Sequence, residues 1–198
     1  MQKLLLASTN PGKLREIRDL LDVFDVVLVL PSEIDLHLEV VESGATYAEN
    51  ATIKAVAFAR ASGQITLADD SGLEVAALGG APGIHSARYA PKPGATDADR
   101  RVYLLERLKG MPRPWIAKFV CTVAISTPVG QVELAIGICP GEIIPLERGS
   151  DGFGYDPIFL LPELGRTMAE LSLAEKNKLS HRALAVHAAR PILKKLLV

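Results

Sequence analysis

The sequence predicts an α/β fold built on an elongated, mixed and partly antiparallel β-sheet flanked by helices. Strand-like apolar runs alternate with helical patterns near both ends of the chain, and two alternating runs separated by Thr127–Gly130 predict a β-hairpin in the middle. Neither a linker nor an internal repeat is visible. Residues 1–198 are therefore expected to form a single domain, because 198 residues suffice for one sizeable core.

Three strands and two helices are expected in the first part of the chain. The strands are Lys3–Ala7, Val26–Leu30 and Ile65–Ala68, the last ending in the polar segment Asp69–Gly72. After the first strand, apolar residues recur at helical spacing at Leu14, Ile17, Leu20 and Leu21. Thr46, with Glu49 three residues later, forms a capping box that predicts the start of the second helix.

The second part of the chain begins with a helix expected after the cap residue Thr96. The hairpin strands follow at Ala117–Ile125 and Val132–Ile138, and Gly149–Tyr155 is expected to be a glycine-rich loop. Capping boxes then occur at Thr167 with Glu170 and at Ser172 with Glu175. The second box predicts one long helix towards the C-terminus, with a kink at Pro191.

Composition and charge exclude several classes of protein. Lys and Arg number 22 against 23 Asp and Glu, so the chain lacks the basic excess of proteins that bind a nucleic-acid polymer. The absence of any apolar run of about 18 residues argues against a membrane span, and no signal peptide is recognised. A cytoplasmic protein is therefore expected. Cys121 and Cys139 lie in apolar runs without metal-ligand spacing, which favours packing over redox or zinc chemistry.

The segment Thr9–Lys13 is a candidate anion site. It lies between a predicted strand and a predicted helix, where free backbone N–H groups and the helix dipole attract negative charge, and Lys13 adds a cation. The spacing is not that of a Walker A motif. A short turn that ends in a lysine at a helix start is the alternative interpretation.

The pair Asp69 and Asp70 is a candidate cation site, because two adjacent carboxylates repel each other in an otherwise apolar stretch. Mg²⁺ is commonly held by one or two carboxylates together with substrate phosphates, so Asp70 with an acidic partner such as Glu42 would suffice. The alternative is a solvated acidic turn with Gly72 at positive φ.

The segment Gly152–Pro157 is a candidate aromatic platform. Phe153 and Tyr155 stand among glycines, so that backbone can approach a ligand while a ring offers a stacking face to a planar base. A turn whose rings fold into the core is the alternative. Lys176, His181 and Arg182 lie nearby in sequence, and a solvated polar surface is the default expectation for them. Together the four clusters predict a site for a nucleoside triphosphate with Mg²⁺.

The chain resembles the inosine triphosphate pyrophosphatases, also described as RdgB-type dITP/XTP pyrophosphatases, over nearly its whole length. The motifs that carry the resemblance are Ser8–Lys13, Glu42–Gly44 with Glu49, Asn50 and Lys54, Ala68–Leu73, Gly80–Ile84 with Ser86–Tyr89, Gly152–Pro157 with Phe159, and Glu175–Lys176 with Ser180–Arg182. This resemblance implies a sheet flanked by helices with a central active-site cleft between two lobes, as in ITPase-like and Maf-like folds. It also implies Mg²⁺-dependent hydrolysis of ITP, dITP and XTP to the monophosphate and pyrophosphate, and a homodimer.

The resemblance also implies roles for individual residues. Glu42 and Asp70 would bind the metal, and Asp70 would be the general base for the attacking water. The implied substrate-binding residues are Ser8, Thr9, Asn10, Pro11, Gly12, Lys13, Lys54, Ser71, Phe153, Gly154, Tyr155, Asp156, Lys176, His181 and Arg182. Phe153 would stack on the base, and donors such as Arg182 would favour the 6-keto purines over adenine.

Two other functions compete with this one. A Maf-like pyrophosphatase for modified pyrimidine or methylated nucleotides is disfavoured by Phe153 together with Ser180–Arg182. A nucleotide sensor without catalysis is disfavoured because Lys13, Glu42, Asp69 and Asp70 are all present.

Overall fold

The computed structural model describes residues 2–22 and 26–197, so the ends of the predicted domain, Met1 and Val198, lie outside the described residues. The helices in the described ranges are α1 (Pro11–Leu21), α2 (Tyr47–Ser62), α3 (Asp97–Leu108), α4 (Leu173–Leu179) and α5 (His181–Leu196). The strands are β1 (Gln2–Leu6), β2 (Val26–Val29), β3 (Ile65–Val75), β4 (Trp115–Ser126), β5 (Val132–Ile143), β6 (Phe159–Leu161) and β7 (Arg166–Thr167). No helix in these ranges combines the length and apolar character needed to cross a membrane.

These strands form one mixed sheet in the order β2-β1-β3-β4-β5-β6-β7. β1 is parallel to β2 and to β3, with Leu4 opposite both Leu28 and Ile65. β5, β6 and β7 are antiparallel neighbours. β4 and β5 are adjacent and joined by residues 127–131, which makes the predicted hairpin. The predicted α/β class with a mixed sheet and flanking helices is confirmed.

The chain divides into two compact units whose boundaries fall within or directly next to elements of the sheet and the last helix. Unit 1 comprises Met1–Asp70, Cys121–Gly137 and His181–Val198, and unit 2 comprises Ser71–Val120 and Ile138–Ser180. Each unit has its own hydrophobic core.

Unit 1 buries both faces of its strands. Leu4, Leu6 and Leu67 belong to a core cluster shared with residues of α1 and α5. Leu5 and Ala68 belong to a second cluster shared with residues of α2. Successive residues of a strand point to opposite faces of the sheet, so odd and even positions of β3 meet different helices.

Unit 2 has one core cluster, formed by the end of β3, helix α3, part of the hairpin and the short strand β6. Its largest members are Leu73, Leu104, Leu108, Trp115, Phe119, Tyr155 and Phe159. The rings of Phe119 and Phe159 lie 4.4 Å apart between centroids.

Several element boundaries differ from the sequence predictions, and two of these differences concern predicted site residues. β3 does not end at Ala68 but continues through the polar residues to Val75, because the side chains of Asp69 and Asp70 find buried polar partners. The predicted long C-terminal helix is two helices, since Ser180 has an extended backbone with ψ 154°. Pro191 lies inside α5, which continues to Leu196.

The capping predictions are confirmed. Thr46, Thr96 and Ser172 cap α2, α3 and α4, each with an acidic residue three positions later that completes the capping box. The strands β6 and β7 were not predicted, because three and two residues are too few for an alternating pattern.

Candidate active site

The loop between β1 and α1 is held by side chains of its own sequence. The side chain of Asn10 caps α1 by accepting a hydrogen bond from the Lys13 backbone N–H at 3.1 Å, and the Asn10 N–H donates to Ser8 Oγ at 3.3 Å. Pro11 occupies the first helical position, where no N–H partner is needed. This turn, Ser8–Lys13, presents the N-terminus of a helix, which is a favourable place for an anion.

Asp69 lies buried at the centre of an ion-pair network in unit 1. Its Oδ2 is 3.0 Å from Lys13 Nζ and 3.4 Å from Arg182 Nε. Arg182 also forms a buried ion pair with Glu16 of α1. Burial alone would raise the pKa of Asp69, but the charges of Lys13, Arg182 and Lys54 hold that pKa below its usual range. Asp69 is therefore ionised and committed to these cations.

Asp70 has different surroundings. Its Oδ2 accepts a hydrogen bond from Asn50 Nδ2 of α2 at 3.1 Å. Burial raises the pKa of Asp70 above its ordinary value, against the lowering effect of Lys54 and Lys13. A carboxylate with a raised pKa is a better proton acceptor than an ordinary one.

Lys54 contacts both Glu42 and the backbone of β3 next to Asp70. Its ammonium group lies 2.8 Å from Glu42 Oε1 and donates to the backbone carbonyl of Asp69 at 2.7 Å. The negative charge of Glu42 also raises the pKa of Asp70. Glu42 and Asp70 are the oxygen donors that could hold a hard divalent cation here.

The two adjacent aspartates do not form a pair. The side chain of Asp69 lies on the same face of the sheet as Leu67, towards α1 and α5. The side chain of Asp70 lies on the same face as Ala68, towards α2. The prediction that the strand ends before these residues was wrong, because β3 continues through them and alternation places the two side chains on opposite faces.

In unit 2, Phe153, Asp156 and Lys176 form a compact group. Lys176 Nζ lies 2.6 Å from Asp156 Oδ2, with both side chains buried, and 5.1 Å from the centroid of the Phe153 ring. The backbone N–H of Phe153 donates to the same Asp156 oxygen at 2.9 Å. The Phe153 side chain itself is half-buried. The ring is thus fixed from one side by a buried cation and carboxylate.

The flanking residues of this loop are also held. Tyr155 is buried in the core of unit 2, and its hydroxyl donates to the backbone carbonyl of Ser86 at 2.9 Å. Gly154 donates its N–H to Asp97 Oδ2 at 2.7 Å and accepts from Arg101 at 2.8 Å. Of the two predicted rings, one therefore packs in the core and the other remains partly accessible.

The structure brings the predicted site residues together as two groups, one in each unit. Unit 1 holds Ser8, Thr9, Asn10, Pro11, Gly12, Lys13, Glu42, Lys54, Asp70, His181 and Arg182, and unit 2 holds Ser71, Phe153, Gly154, Tyr155, Asp156 and Lys176. The default expectation of a solvated surface for Lys176, His181 and Arg182 was wrong, since all three are buried. Arg182 is 1% exposed because its guanidinium faces Asp69 and Glu16.

The sequence predicted no role for four residues that contribute contacts, although Asn50 stands in one of the motifs: Glu16, Asn50, Asp97 and Arg101. Each is a polar residue of a helix, and only contact with a distant segment distinguishes it from a solvated helix face. Glu16 had the one visible signal, since Leu20 of the apolar stripe lies four residues later and therefore on the same face of α1.

Related proteins align with this chain over most of its length. A protein-family model described as the Ham1 family matches residues 4–192. A curated dITP/XTP pyrophosphatase of Desulforamulus reducens is 44% identical over 197 residues, which are 99% of this chain and 98% of the relative. A dITP/XTP pyrophosphatase of Thermus thermophilus is 47% identical over 189 residues, 94% of this chain and 89% of the relative.

Two solved structures of Ham1 proteins have the same fold as this chain. A HAM1 protein from Coxiella burnetii superposes with a TM-score of 0.89 at 40% identity, covering 98% of this chain and 100% of that one. A Ham1 protein from Staphylococcus aureus gives a TM-score of 0.87 at 38% identity, again with 98% and 100% coverage.

Proposed function

The chain belongs to the Ham1 family, and on that premise we propose that it is a dITP/XTP pyrophosphatase, a hydrolase acting on acid anhydrides. It converts the non-canonical purine triphosphates ITP, dITP and XTP to the monophosphate and pyrophosphate. The observation that carries the proposal is the buried carboxylate of Asp70, oriented by Asn50 and accompanied by Lys54 and Glu42.

Asp70 is the general base of the proposed reaction. It takes a proton from the water whose oxygen bonds to the α-phosphorus, while the bond from that phosphorus to the bridging oxygen breaks and pyrophosphate leaves. The raised pKa of Asp70 favours proton acceptance, and the Asn50 amide fixes the orientation of the carboxylate.

The reaction uses a divalent metal ion, which we propose to be Mg²⁺ held by Glu42 and Asp70. The described residues contain no group of three or more His, Cys, Asp or Glu that could hold a metal, but Mg²⁺ commonly needs only one or two carboxylates with the substrate phosphates. The all-oxygen donor set fits this ion. When bound, it spreads the charge that develops on the phosphates.

The phosphates are gripped by the turn Ser8–Lys13, including Thr9, Asn10, Pro11 and Gly12, with Lys54 and Ser71. The start of α1 supplies the positive end of the helix dipole, and the ammonium groups of Lys13 and Lys54 supply positive charge. Both lysines are already ordered by carboxylates or by backbone, which lowers the entropic cost of ordering them around a ligand.

A further set of residues is proposed to recognise the base. Phe153 stacks on the purine, and Gly154, Tyr155, Asp156, Lys176, His181 and Arg182 are proposed around its edge. Hydrogen-bond donors opposite the 6-keto oxygen accept hypoxanthine and xanthine, whereas the amino group of adenine would leave them unpaired. Residues 1–198 act in this proposal as one catalytic domain, in a homodimer, in the cytoplasm where nucleotides are pooled.

The test is pyrophosphate release from purified protein with Mg²⁺, comparing ITP, dITP, XTP, GTP, ATP and dTTP, with EDTA as the control. Fast, metal-dependent release from ITP, dITP and XTP is expected. Asp70→Asn should bind nucleotide but lose about 10²- to 10⁴-fold in kcat, because an amide cannot accept the proton. Binding of ITP without cleavage by the wild-type chain would instead support a sensor, and best cleavage of another nucleotide would refute the base assignment.

A further inference from the structure

Gly154, in the loop that carries Phe153, is bonded to two residues of α3. Its N–H donates to Asp97 Oδ2 at 2.7 Å, and its carbonyl accepts from a guanidinium nitrogen of Arg101 at 2.8 Å. Both hydrogen-bonding groups of Gly154 are therefore occupied by α3. Its φ of +63° suits glycine, which reaches this conformation without strain.

The two residues of α3 are themselves fixed. Arg101 forms a two-point ion pair with Glu147, at 2.8 and 2.9 Å, in addition to its bond to Gly154. Asp97 pairs with Arg100, which in turn donates to the backbone carbonyls of Ala87 and Ala95. A guanidinium presents its donors in a fixed plane, so Arg101 holds both oxygens of Glu147 and the Gly154 carbonyl in one defined orientation, whereas the freely rotating ammonium of a lysine would not fix this orientation.

We propose that Asp97 and Arg101 are positioning residues for base recognition. Asp97 sets the plane of the Phe153–Gly154 peptide, Arg101 sets the plane of the next peptide, Gly154–Tyr155, and together they fix the orientation of the Phe153 ring. The inference rests on the proposed function, because it assumes that Phe153 stacks on the purine. The peptide N–H bound by Asp97 is the one that directly follows Phe153, so its orientation constrains the ψ angle of Phe153.

Phe153 is held by Asp156 and Lys176 in addition to the contacts of Gly154 with α3. Asp156 holds the Phe153 N–H and Lys176 lies over the ring, so Phe153 is fixed before and after its Cα. Loss of the α3 contacts leaves the Asp156 and Lys176 contacts in place. The expected effect is a misplaced ring on a folded loop.

The experiment compares Asp97→Ala with Asp99→Ala. Asp99 lies on the same turn of α3 and completes the capping box with Thr96, but its side chain bonds Thr96 and Lys92 rather than the Phe153 loop. Both variants weaken the start of α3, and only Asp97→Ala removes the bond to Gly154. KM and kcat are measured for dITP and for dATP, with thermal unfolding of each variant.

Asp97→Ala should raise KM for dITP about tenfold, within the range that base–aromatic stacking contributes, with little change in kcat. Its preference for dITP over dATP should fall. Asp97→Asn should recover part of both losses, since an amide oxygen still accepts from the Gly154 N–H. Arg101→Lys should behave like a milder Asp97→Ala, and Asp99→Ala should keep the wild-type KM and preference.

Equal changes in Asp97→Ala and Asp99→Ala, or an unchanged preference in Asp97→Ala, would overturn the proposal in favour of a purely structural role. Failure of the wild-type chain to cleave dITP would refute the proposed function instead. In that case the Asp97→Ala and Asp99→Ala variants are compared by their equilibrium binding of IMP, which contains the same base. Weaker IMP binding by Asp97→Ala than by Asp99→Ala supports the positioning role, and equal binding or none by the wild type refutes it.

Discussion

The buried carboxylate of Asp69 forms an ion pair with the partly exposed Lys13, with 3.0 Å between Oδ2 and Nζ, and the same oxygen faces the guanidinium of Arg182. The lysine proposed to grip phosphate is therefore held in place by a carboxylate that belongs to the framework of unit 1. Asp69 connects β3 to α1 and α5 through these two cations.

Asp69→Ala should lower the free energy of unfolding by about 3–5 kcal/mol, because it leaves the charges of Lys13 and Arg182 without their buried partner. Urea denaturation measures this change. Glu133→Ala is the matched control, an exposed carboxylate in unit 1 that should change stability by less than about 0.5 kcal/mol. Equal effects of the two substitutions would contradict a framework role for Asp69.

Arg182→Lys should also destabilise the protein, since the guanidinium bonds Glu16 and Asp69 together and the more compact ammonium of lysine cannot reproduce both contacts. Arg18→Lys, on the exposed side of α1, is the control. Thermal unfolding should show a clear loss for the first and almost none for the second. A wild-type melting temperature in Arg182→Lys would mean that the buried ion pairs contribute little.

Gly137→Ala should be strongly destabilising. A Cβ at Gly137 would lie 2.1 Å from the His181 carbonyl oxygen and 2.3 Å from the Ala185 backbone nitrogen, so β5 and α5 would have to separate. Overpacking of this kind costs about 1–3 kcal/mol or more. Gly63→Ala at the end of α2 meets no atom within 4 Å but has a φ of +68°.

Comparison of these two glycine variants separates close packing from backbone conformation. Gly63→Ala is expected to cost about 1 kcal/mol, from the left-handed conformation alone. If Gly137→Ala cost no more than Gly63→Ala, the close approach of α5 to β5 would not be a constraint on this fold.

The two cysteines should be unreactive in the folded protein. Burial raises the pKa of Cys121 to about 12 and that of Cys139 to about 11, so at about pH 8 both thiols are protonated and poor nucleophiles. A thiol-specific disulfide reagent should modify neither cysteine until denaturant is added. Rapid modification of the native protein at this pH would show that one of them is accessible.

The same pKa values predict that the free energy of unfolding falls as the pH rises into the alkaline range. An unfolded cysteine has a pKa of about 8.5, so the folded state holds thiol protons that the unfolded state releases above that pH. Their contribution is complete below about pH 8.5 and is lost as the pH rises towards the folded values of about 11 and 12. Denaturant midpoints measured across this range should fall less in a variant with Cys121→Ala and Cys139→Ala.

Much of the fold could be predicted from the sequence because its signals are local. The capping residues Thr46, Thr96 and Ser172 mark helix starts through contacts three residues away, and they were identified correctly. The end of β3 was misplaced because Asp69 and Asp70 have low strand propensity, which their buried partners override.

The sequence predicted the motifs of the candidate site. It did not predict the ion pairs and hydrogen bonds between the residues of the site. The pairing of Arg182 with Glu16 joins residues 166 positions apart, and that of Arg101 with Glu147 joins residues 46 apart. Such contacts depend on how helices pack on the sheet. A motif specifies residue types at short spacing, so it does not predict ion pairs between residues that are far apart in the sequence.

The alternation along β3 sets a limit on how this chain can change in length. Leu6 is opposite Leu67 in the parallel pairing of β1 with β3, which fixes the side of the sheet that Asp69 and Asp70 each occupy. Inserting or deleting one residue between Leu67 and Asp69 would exchange the two carboxylates, placing the proposed base among the cations of α1 and α5. Surface loops can lengthen or shorten during evolution, whereas this short stretch of strand must keep its count.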